Sequence, residues 1–324
     1  MAQLASAALA VVVAIGGLVV AFAAMNWLAE RLPDRWQRRI KPLLFAMPAL
    51  LLIAVVLVYP TIETIRVSFF DANSQHFVGL KNYKYLADSK DIRAALRNNA
   101  LWLVVVPAVT IAVGLAIAVL ADRLKRRWEI TAKTLVFLPM AISFVGASTI
   151  WGFIYAFRPA GSSQTGLLNA LWTSLGFKPI AWLTDAPWNN LLLMAIVVWL
   201  QSGLAMVLLS AAIKNVPQEC VEAARVDGAK EWQIFWRVVL PQIKPTIAVV
   251  LSTLVILVLK VFDIIYVITN GDFNTDVVAV RFINEIFTYN NFGHAAALVV
   301  VLLALTSPIV FFNLRRFRAE LANR

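Results

Sequence analysis

A single cysteine, Cys220, and two histidines, His76 and His294, are all that 324 residues offer of the side chains most used for redox and metal chemistry. One thiol cannot build an internal disulfide framework. Neither histidine belongs to an H-E-x-x-H or another ligand spacing, which removes the usual basis for a metal centre or an intramembrane hydrolase. Both histidines read as ordinary polar loop residues. No G-x-x-x-x-G-K-[ST] stretch occurs, so the chain has no phosphate loop and is not expected to hydrolyse ATP itself. Charge is scarce too, at 15% of residues.

What fills the space is apolar: 61% of residues, against roughly 45 to 50% in a soluble domain. The charges cluster and leave long windows without any: Leu4 to Leu28, Leu43 to Ile62, Leu101 to Ala121, Thr134 to Phe157, Ala186 to Ile213 and Ala295 to Leu314. A further window, Thr246 to Thr269, is broken only by Lys260 and Asp263. Each is long enough to cross a hydrocarbon core of about 30 Å as a helix. They are continuous apolar runs rather than alternating strands of about ten residues, so a barrel is disfavoured. The expected fold is all-α, a polytopic membrane protein with seven spans, with "VYP" (Val58 to Pro60) at the outer end of the second and Pro139 kinking the fourth.

A net charge of +11 would suit nucleic acid if it were spread over one soluble face, but its distribution points to the membrane instead. With alternate loops on alternate sides, nineteen of the 29 Lys and Arg residues fall on one face. They sit in the linker Arg31 to Lys41, the loop Arg123 to Lys133, the segment Lys214 to Lys244 and the tail from Arg315. The other face holds nine, from Arg66 to Arg281, with Lys260 inside a span. The positive-inside rule makes the richer face cytoplasmic, placing the N-terminus outside and the C-terminus inside. The leading MAQLASAALA carries no Lys or Arg, unlike a signal peptide, so the first helix is expected to be retained.

The exterior segment Glu63 to Asn99 mixes charge with spaced aromatics, which fits short helices on the membrane surface or a plain solvated connector. Between the fifth and sixth spans lies a polar insert, residues 214–245. Pro217 suits a helix N-terminus, and Gly228 suits the left-handed turn that closes a helix. Trp232, Phe235, Trp236 and Val239 then fall at i, i+3, i+4 and i+7, one apolar stripe of a second helix that Pro241 ends. Small Ala223 and Ala224 permit close approach of another surface, while Glu222, Arg225 and Asp227 can form charge pairs with it, the pattern of a helix that docks in a groove.

"EAARVDGAKEWQIFWRVVLP" resembles the E-A-A-x3-G-x9-I-x-L-P signature of binding-protein-dependent ABC importer permeases. Glu222, Ala223, Ala224, Gly228, Leu240 and Pro241 are in register, and Val238 replaces the usual isoleucine, a change small in volume. "FVGLKNYKYL", "FLPMAISFVGASTIWGFIYAFRPAG" and "KVFDIIYVITNG" are most similar to sugar-importing permeases of the maltose-type group, closest to alpha-glucoside permease subunits. The resemblance covers residues 43–324 and implies a six-helix permease domain there, with residues 1–42 an added helix and basic linker. It implies a heteromeric complex in the plasma membrane of a bacterium or archaeon. The partners would be a second permease, two cytoplasmic ATPase subunits that use ATP and Mg, and an exterior solute-binding protein. This chain itself would hold no cofactor, and its cargo would be a sugar such as an alpha-glucoside.

For the solute path, Lys260 and Asp263 stand out, since a charge at mid-membrane costs about 2.5 to 3.5 kcal/mol on insertion scales. At i and i+3 on one helix they either neutralise each other or face a solute. "WLQSG" (Trp199 to Gly203) offers Gln201 and Ser202 to sugar hydroxyls, and Ser143 adds another, although small residues there equally suit helix packing. Trp151, Tyr155 and Trp199 fit either a pyranose stack or an interfacial belt. The rival reading is an ion-coupled secondary transporter with Lys260 and Asp263 as its relay, which would need no insert.

Overall fold

The computed structural model describes residues 16–17, 20, 22–27, 29–31 and 33–322, except the side chains of 34–40, 309–310, 312–314 and 316–322. Most of the expected first span, Leu4 to Leu28, lies outside the described residues, as do Arg324 and the side chains of Arg35, Arg38, Arg39, Arg316 and Arg318. Among the described residues there is no strand, only an isolated antiparallel bridge between Phe70 and Phe77. The chain divides into two compact units, Met1–Arg66 and Val67–Arg324.

In the first unit, α1 (Asp34–Ile53), a π turn (Ala54–Val58) and α2 (Tyr59–Val67, whose last residue opens the second unit) follow one another without a break. "VYP" therefore does not end the second span. Pro60 has no N–H to give and its ring presses on the carbonyl four residues back, and the wider π turn just before it accommodates both. The same device recurs in the second unit. There α10 (Glu231–Ile234), a π turn (Phe235–Val239) and α11 (Leu240–Leu259) continue straight through Pro241, which was expected to end the helix.

The second unit is a helical bundle: α3 (Lys81–Asp88), α4 (Lys90–Asp122), α5 (Arg126–Phe137), α6 (Phe144–Ile154), α7 (Leu167–Ser174), α8 (Trp188–Lys214), α9 (Gln218–Val226), then α10 and α11, α12 (Asp263–Ile268), α13 (Val278–Phe287) and α14 (Phe292–Ala322). The expected surface segment Glu63 to Asn99 gives one short helix, α3, and then runs from Lys90 into α4, which is 33 residues long. The Ser89 hydroxyl accepts from the Ile92 N–H and Asp91 sits in the first turn, so the helix starts eleven residues ahead of the apolar run. The expected fourth span is two helices, α5 and α6, bent by 103°. A 3-10 turn at Leu138–Ala141 holds Pro139, Ile142 is extended, and the Ser143 hydroxyl caps α6 by accepting from the Gly146 N–H at 3.1 Å.

The expected sixth span also breaks, because α11 ends at Leu259 and α12 begins at Asp263. Among the described residues, four helices are long and apolar enough to cross a membrane: Lys41–Val67, Lys90–Asp122, Trp188–Lys214 and Glu231–Leu259. The bent pair α5–α6 makes up to five, and Phe292–Pro308 is a shorter apolar stretch. The all-α membrane fold stands, whereas seven crossings are not counted within these residues.

Backbone-to-backbone packing centres on α8. A Cβ on Gly114 of α4 would lie 2.7 Å from the Ala205 Cβ and 2.9 Å from the Met206 nitrogen, both on α8. Helices approach this closely only where one presents no side chain. Trp102, Val106, Leu193, Met194 and Leu200 lead the largest buried cluster, which spans α4, α8 and the α11–α12 break.

Candidate coupling insert and solute path

The insert begins at Pro217, the residue before α9, and its first helix is closed by Gly228 at φ +78. The N–H of Gly228 donates to the Arg225 carbonyl and that of Ala229 to the Ala224 carbonyl, each at 3.0 Å, satisfying carbonyls a helix end would leave bare. Arg225 Nε donates to Glu231 Oε1 at 2.8 Å and binds α9 to α10 across that turn. The carboxylate holds the Arg225 guanidinium above its ordinary pKa. Glu222, Ala223, Arg225, Val226, Asp227 and Gly228 are all exposed, Ala224 and Leu240 are half-buried, and Pro241 is exposed.

The aromatic stripe lies only partly on the chain's own surface, where Phe235 and Val239 are half-buried. Trp232 and Trp236 are each 60% exposed, and it is Ile234, outside the stripe, that is buried. The π turn at Phe235–Val239 carries an extra residue, and side chains beyond it leave the angular register a regular helix would give them. The two tryptophans, with Glu222, Arg225, Asp122 and Lys214, line a groove of about 850 Å³ beside the ends of α4 and α8.

The residues expected along a solute path fall into separate environments. Trp199 and Ser202 line an apolar groove of about 560 Å³ with Val105, Leu135, Pro139 and Met194. Ser202 donates to the Val198 carbonyl at 2.5 Å, and Ser143 is occupied as a helix cap. Gln201 is buried in α8 and its amide makes no hydrogen bond to a described residue. Trp151 meets Trp199 edge-on at 5.6 Å and Tyr155 at 5.2 Å, and the Trp151 indole N–H is buried with no partner among the described residues. Tyr155 is buried and donates to the Leu192 carbonyl at 3.1 Å.

Lys260 and Asp263 do not share a helix, as the sequence had implied. Lys260 ends α11 and Asp263 opens α12, and neither forms an ion pair with a described residue. A cation at a helix C-terminus and an anion at an N-terminus each complement the helix dipole, which accounts for both charges without pairing them.

Sequence reasoning missed a clamp of asparagines at the end of the bundle away from the insert. Asn98 donates to the carbonyls of Asn274 and Asp276, each at 2.8 Å, Asn189 to Phe273 at 2.7 Å and Asn190 to Asn274 at 3.1 Å, while Asn99 accepts from the Val278 N–H at 2.8 Å. They hold a loop in which Asn270, Gly271, Phe273 and Asn274 all have positive φ. The signal was legible: the doublets Asn98–Asn99 and Asn189–Asn190 each open a long apolar run, where an unpartnered amide is costly. Beside the clamp, Arg281 lies within 4 Å of Asp91, Asp276 and Glu285. His294, read as a loop residue, instead stacks on Tyr85 at 3.9 Å and lies 3.4 Å from Glu285.

Burial raises the Asp276 carboxyl from 3.8 to about 6, against the pull of Arg281. A carboxyl raised in the folded state binds a proton that the unfolded chain has released. Its stabilising contribution is therefore present below about 3.8 and is lost as pH rises through about 6. Thermal unfolding of the purified protein between about pH 4 and 7 is expected to show a declining midpoint that is flatter in Asp276→Asn. An equal slope in both proteins would refute it.

The family described as binding-protein-dependent transport system inner membrane component matches residues 110–318. The chain is 52% identical over 277 residues to the osmoprotective compounds uptake permease protein GgtC of Synechocystis, covering 86% of this chain and 99% of that one. It is 49% identical over 282 residues to the alpha-glucoside transport system permease protein AglF of Rhizobium meliloti, covering 87% and 83%. Among solved structures, a chain of a bacterial ABC transporter that imports the acidic polysaccharide alginate shares its fold with TM-score 0.76 at 23% identity, over 88% of this chain and 99% of that one. A chain of the bacterial alginate ABC transporter in complex with its alginate pentasaccharide-bound periplasmic protein gives TM-score 0.72 at 25% identity, over 86% and 96%.

Proposed function

The chain belongs to the family of binding-protein-dependent transport system inner membrane components, and from that premise we propose that it is the permease subunit of an ATP-driven importer of sugars or oligosaccharides. Alpha-glucosides are the favoured cargo, supported by the 49% identity to a permease named for them. Residues 43–324 form its permease domain, and residues 1–42 an added helix and linker. The chain sits in the plasma membrane with its insert in the cytoplasm, supported by the basic residues gathered on that side. It pairs with a second permease and works with two ATPase subunits and an exterior solute-binding protein. ATP and Mg belong to the ATPases.

The observation that carries this reading is the insert. α9, the left-handed turn at Gly228 and the helix from Glu231 present Glu222, Ala223, Arg225 and Asp227 to solvent, held from behind by the Arg225–Glu231 pair. An ATPase that grips this element more tightly in one of its own states than in another biases the permease between outward-open and inward-open forms through that difference in contact energy. An ion-coupled transporter has no use for such an element, and Lys260 and Asp263, on either side of a helix break and in no ion pair with a described residue, lend that reading no support.

The test is uptake of labelled alpha-glucosides into proteoliposomes holding the co-purified complex, with and without ATP and the binding protein. Uptake that needs both is the expected result, and uptake driven by an ion gradient without ATP would overturn it. Gln201 is the strongest candidate for a solute contact, since its amide makes no hydrogen bond to a described residue and is not sealed among the buried polar atoms. Gln201→Leu is expected to lower uptake about tenfold, the scale of a lost buried hydrogen bond to solute, and to leave subunit assembly intact. Unchanged uptake would remove it from the path.

A further inference from the structure

The insert is joined by the chain only to α8 and, through α10, to α11. Motion of the insert reaches α4 and α5 only through packing between helices, which includes the close backbone approaches at Gly114 and Gly203. One set of contacts stands at that junction. Lys214, the last residue of α8 and three residues before Pro217, donates to Glu129 of α5 at 2.5 Å and lies 3.3 Å from Asp122 at the end of α4. Glu129 also accepts from Lys133 at 2.5 Å, and Lys133 donates to Ser210 of α8 at 2.5 Å. The charges alternate along the path from Asp122 through Lys214 and Glu129 to Lys133, so each ion has an opposite neighbour on every side.

The Glu129 side chain is 14% exposed and that of Lys133 19%. A carboxylate withdrawn from water and shared between two ammonium groups is far more costly to leave unpaired than a surface one. It therefore resists separation of the elements that contribute to it. Asp122 and Lys214 also line the groove that the insert's Glu222, Arg225 and Glu231 line, so the charge path and the insert share one wall.

We propose that Glu129 is a positioning residue for energy coupling, tying α5 and the end of α4 to Lys214 so that displacement of the insert carries the bent α5–α6 pair with α8. This rests on the reading of the insert as the ATPase-docking element. Its alternative is a network that only holds the bundle together, and the two differ in what they do to solute moved per ATP.

The experiment uses the whole complex in proteoliposomes and measures ATP hydrolysis and alpha-glucoside uptake on the same preparation. Glu129→Gln is expected to keep hydrolysis stimulated by the binding protein to within about twofold of wild type while uptake falls about tenfold, the range of ordinary coupling energies. Glu129→Asp, which keeps the charge, is expected to recover uptake to within about threefold. Lys214→Met is expected to act in the same direction, and the double variant Glu129→Gln with Lys214→Met to be no worse than the poorer single, because both cut one interaction.

Wild-type solute per ATP in Glu129→Gln would overturn the proposal. So would a parallel loss of both activities with partner subunits no longer co-purifying, which marks a purely structural role. Multiplying defects in the double variant would also refute a shared path. If the wild-type complex itself took up no sugar with ATP, the importer reading would fall, an outcome distinct from any of these.

Discussion

Gly228→Pro is expected to abolish ATP-dependent uptake while the chain still inserts in the membrane and reaches wild-type abundance. The position has φ +78, and a proline ring fixes φ near −65°, so the turn between α9 and α10 cannot form. Losing that turn separates Arg225 from Glu231 and re-aims the exposed face of α9. Glu222→Lys attacks the same element by a different route. Glu222 is exposed and makes no hydrogen bond or salt bridge within the described residues; its charge acts on Arg225 only through space, so the change costs the chain little and a docking partner much. Each variant is expected to cut uptake at least about a hundredfold, near the upper end of ordinary coupling energies, because the coupling itself is lost. The measurement is uptake in proteoliposomes, with co-purification of the ATPase subunits as the second readout. Wild-type rates in either variant would end the assignment of this insert as the coupling element.

The parts of this structure legible in the sequence are those governed by nearest neighbours in the chain. Gly228 closing α9 follows from the glycine and the flanking helical pattern, and the membrane-helical class follows from runs too long and too apolar for anything else. What was not legible depended on where a helix pauses. Proline alone suggested ends at Pro60 and Pro241, yet in both places a π turn just upstream takes up the strain and the helix goes on. Pro139 does mark the bend between α5 and α6, but at Lys260 the helix breaks with no proline to announce it. The Glu129 path was invisible for another reason: its members lie on three helices, with Glu129 and Lys214 85 residues apart. The asparagine doublets fall between these cases, since their apolar surroundings demanded a partner without naming the loop that supplies it.

Among the residues expected along the solute path, the glycine of "WLQSG" has the clearest account, and it is the packing one. A Cβ at Gly203 would lie 2.6 Å from the Val136 carbonyl oxygen and 2.7 Å from the Phe137 Cα. Both are backbone atoms of α5, which cannot turn aside as a flexible side chain would. Gly203→Ala therefore has to push α8 away from α5, and overpacking of this kind costs about 1 to 3 kcal/mol. Because Lys133 meets Ser210 and Glu129 meets Lys214 further along the same pair of helices, any opening there also lengthens those contacts. The cost is expected near the upper limit, lowering the thermal midpoint of the detergent-purified chain by about 4 °C at this size. Gly152→Ala is the matched control. It also adds one methyl to a helix, but with nothing within 4 Å of the new atom. There the better helix propensity of alanine should leave the midpoint unchanged or raise it by a degree or two, on the order of 1 kcal/mol. Equal midpoints for the two variants would mean that α5 and α8 do not meet at Gly203, and the seam that brings Glu129 to Lys214 would lose its support.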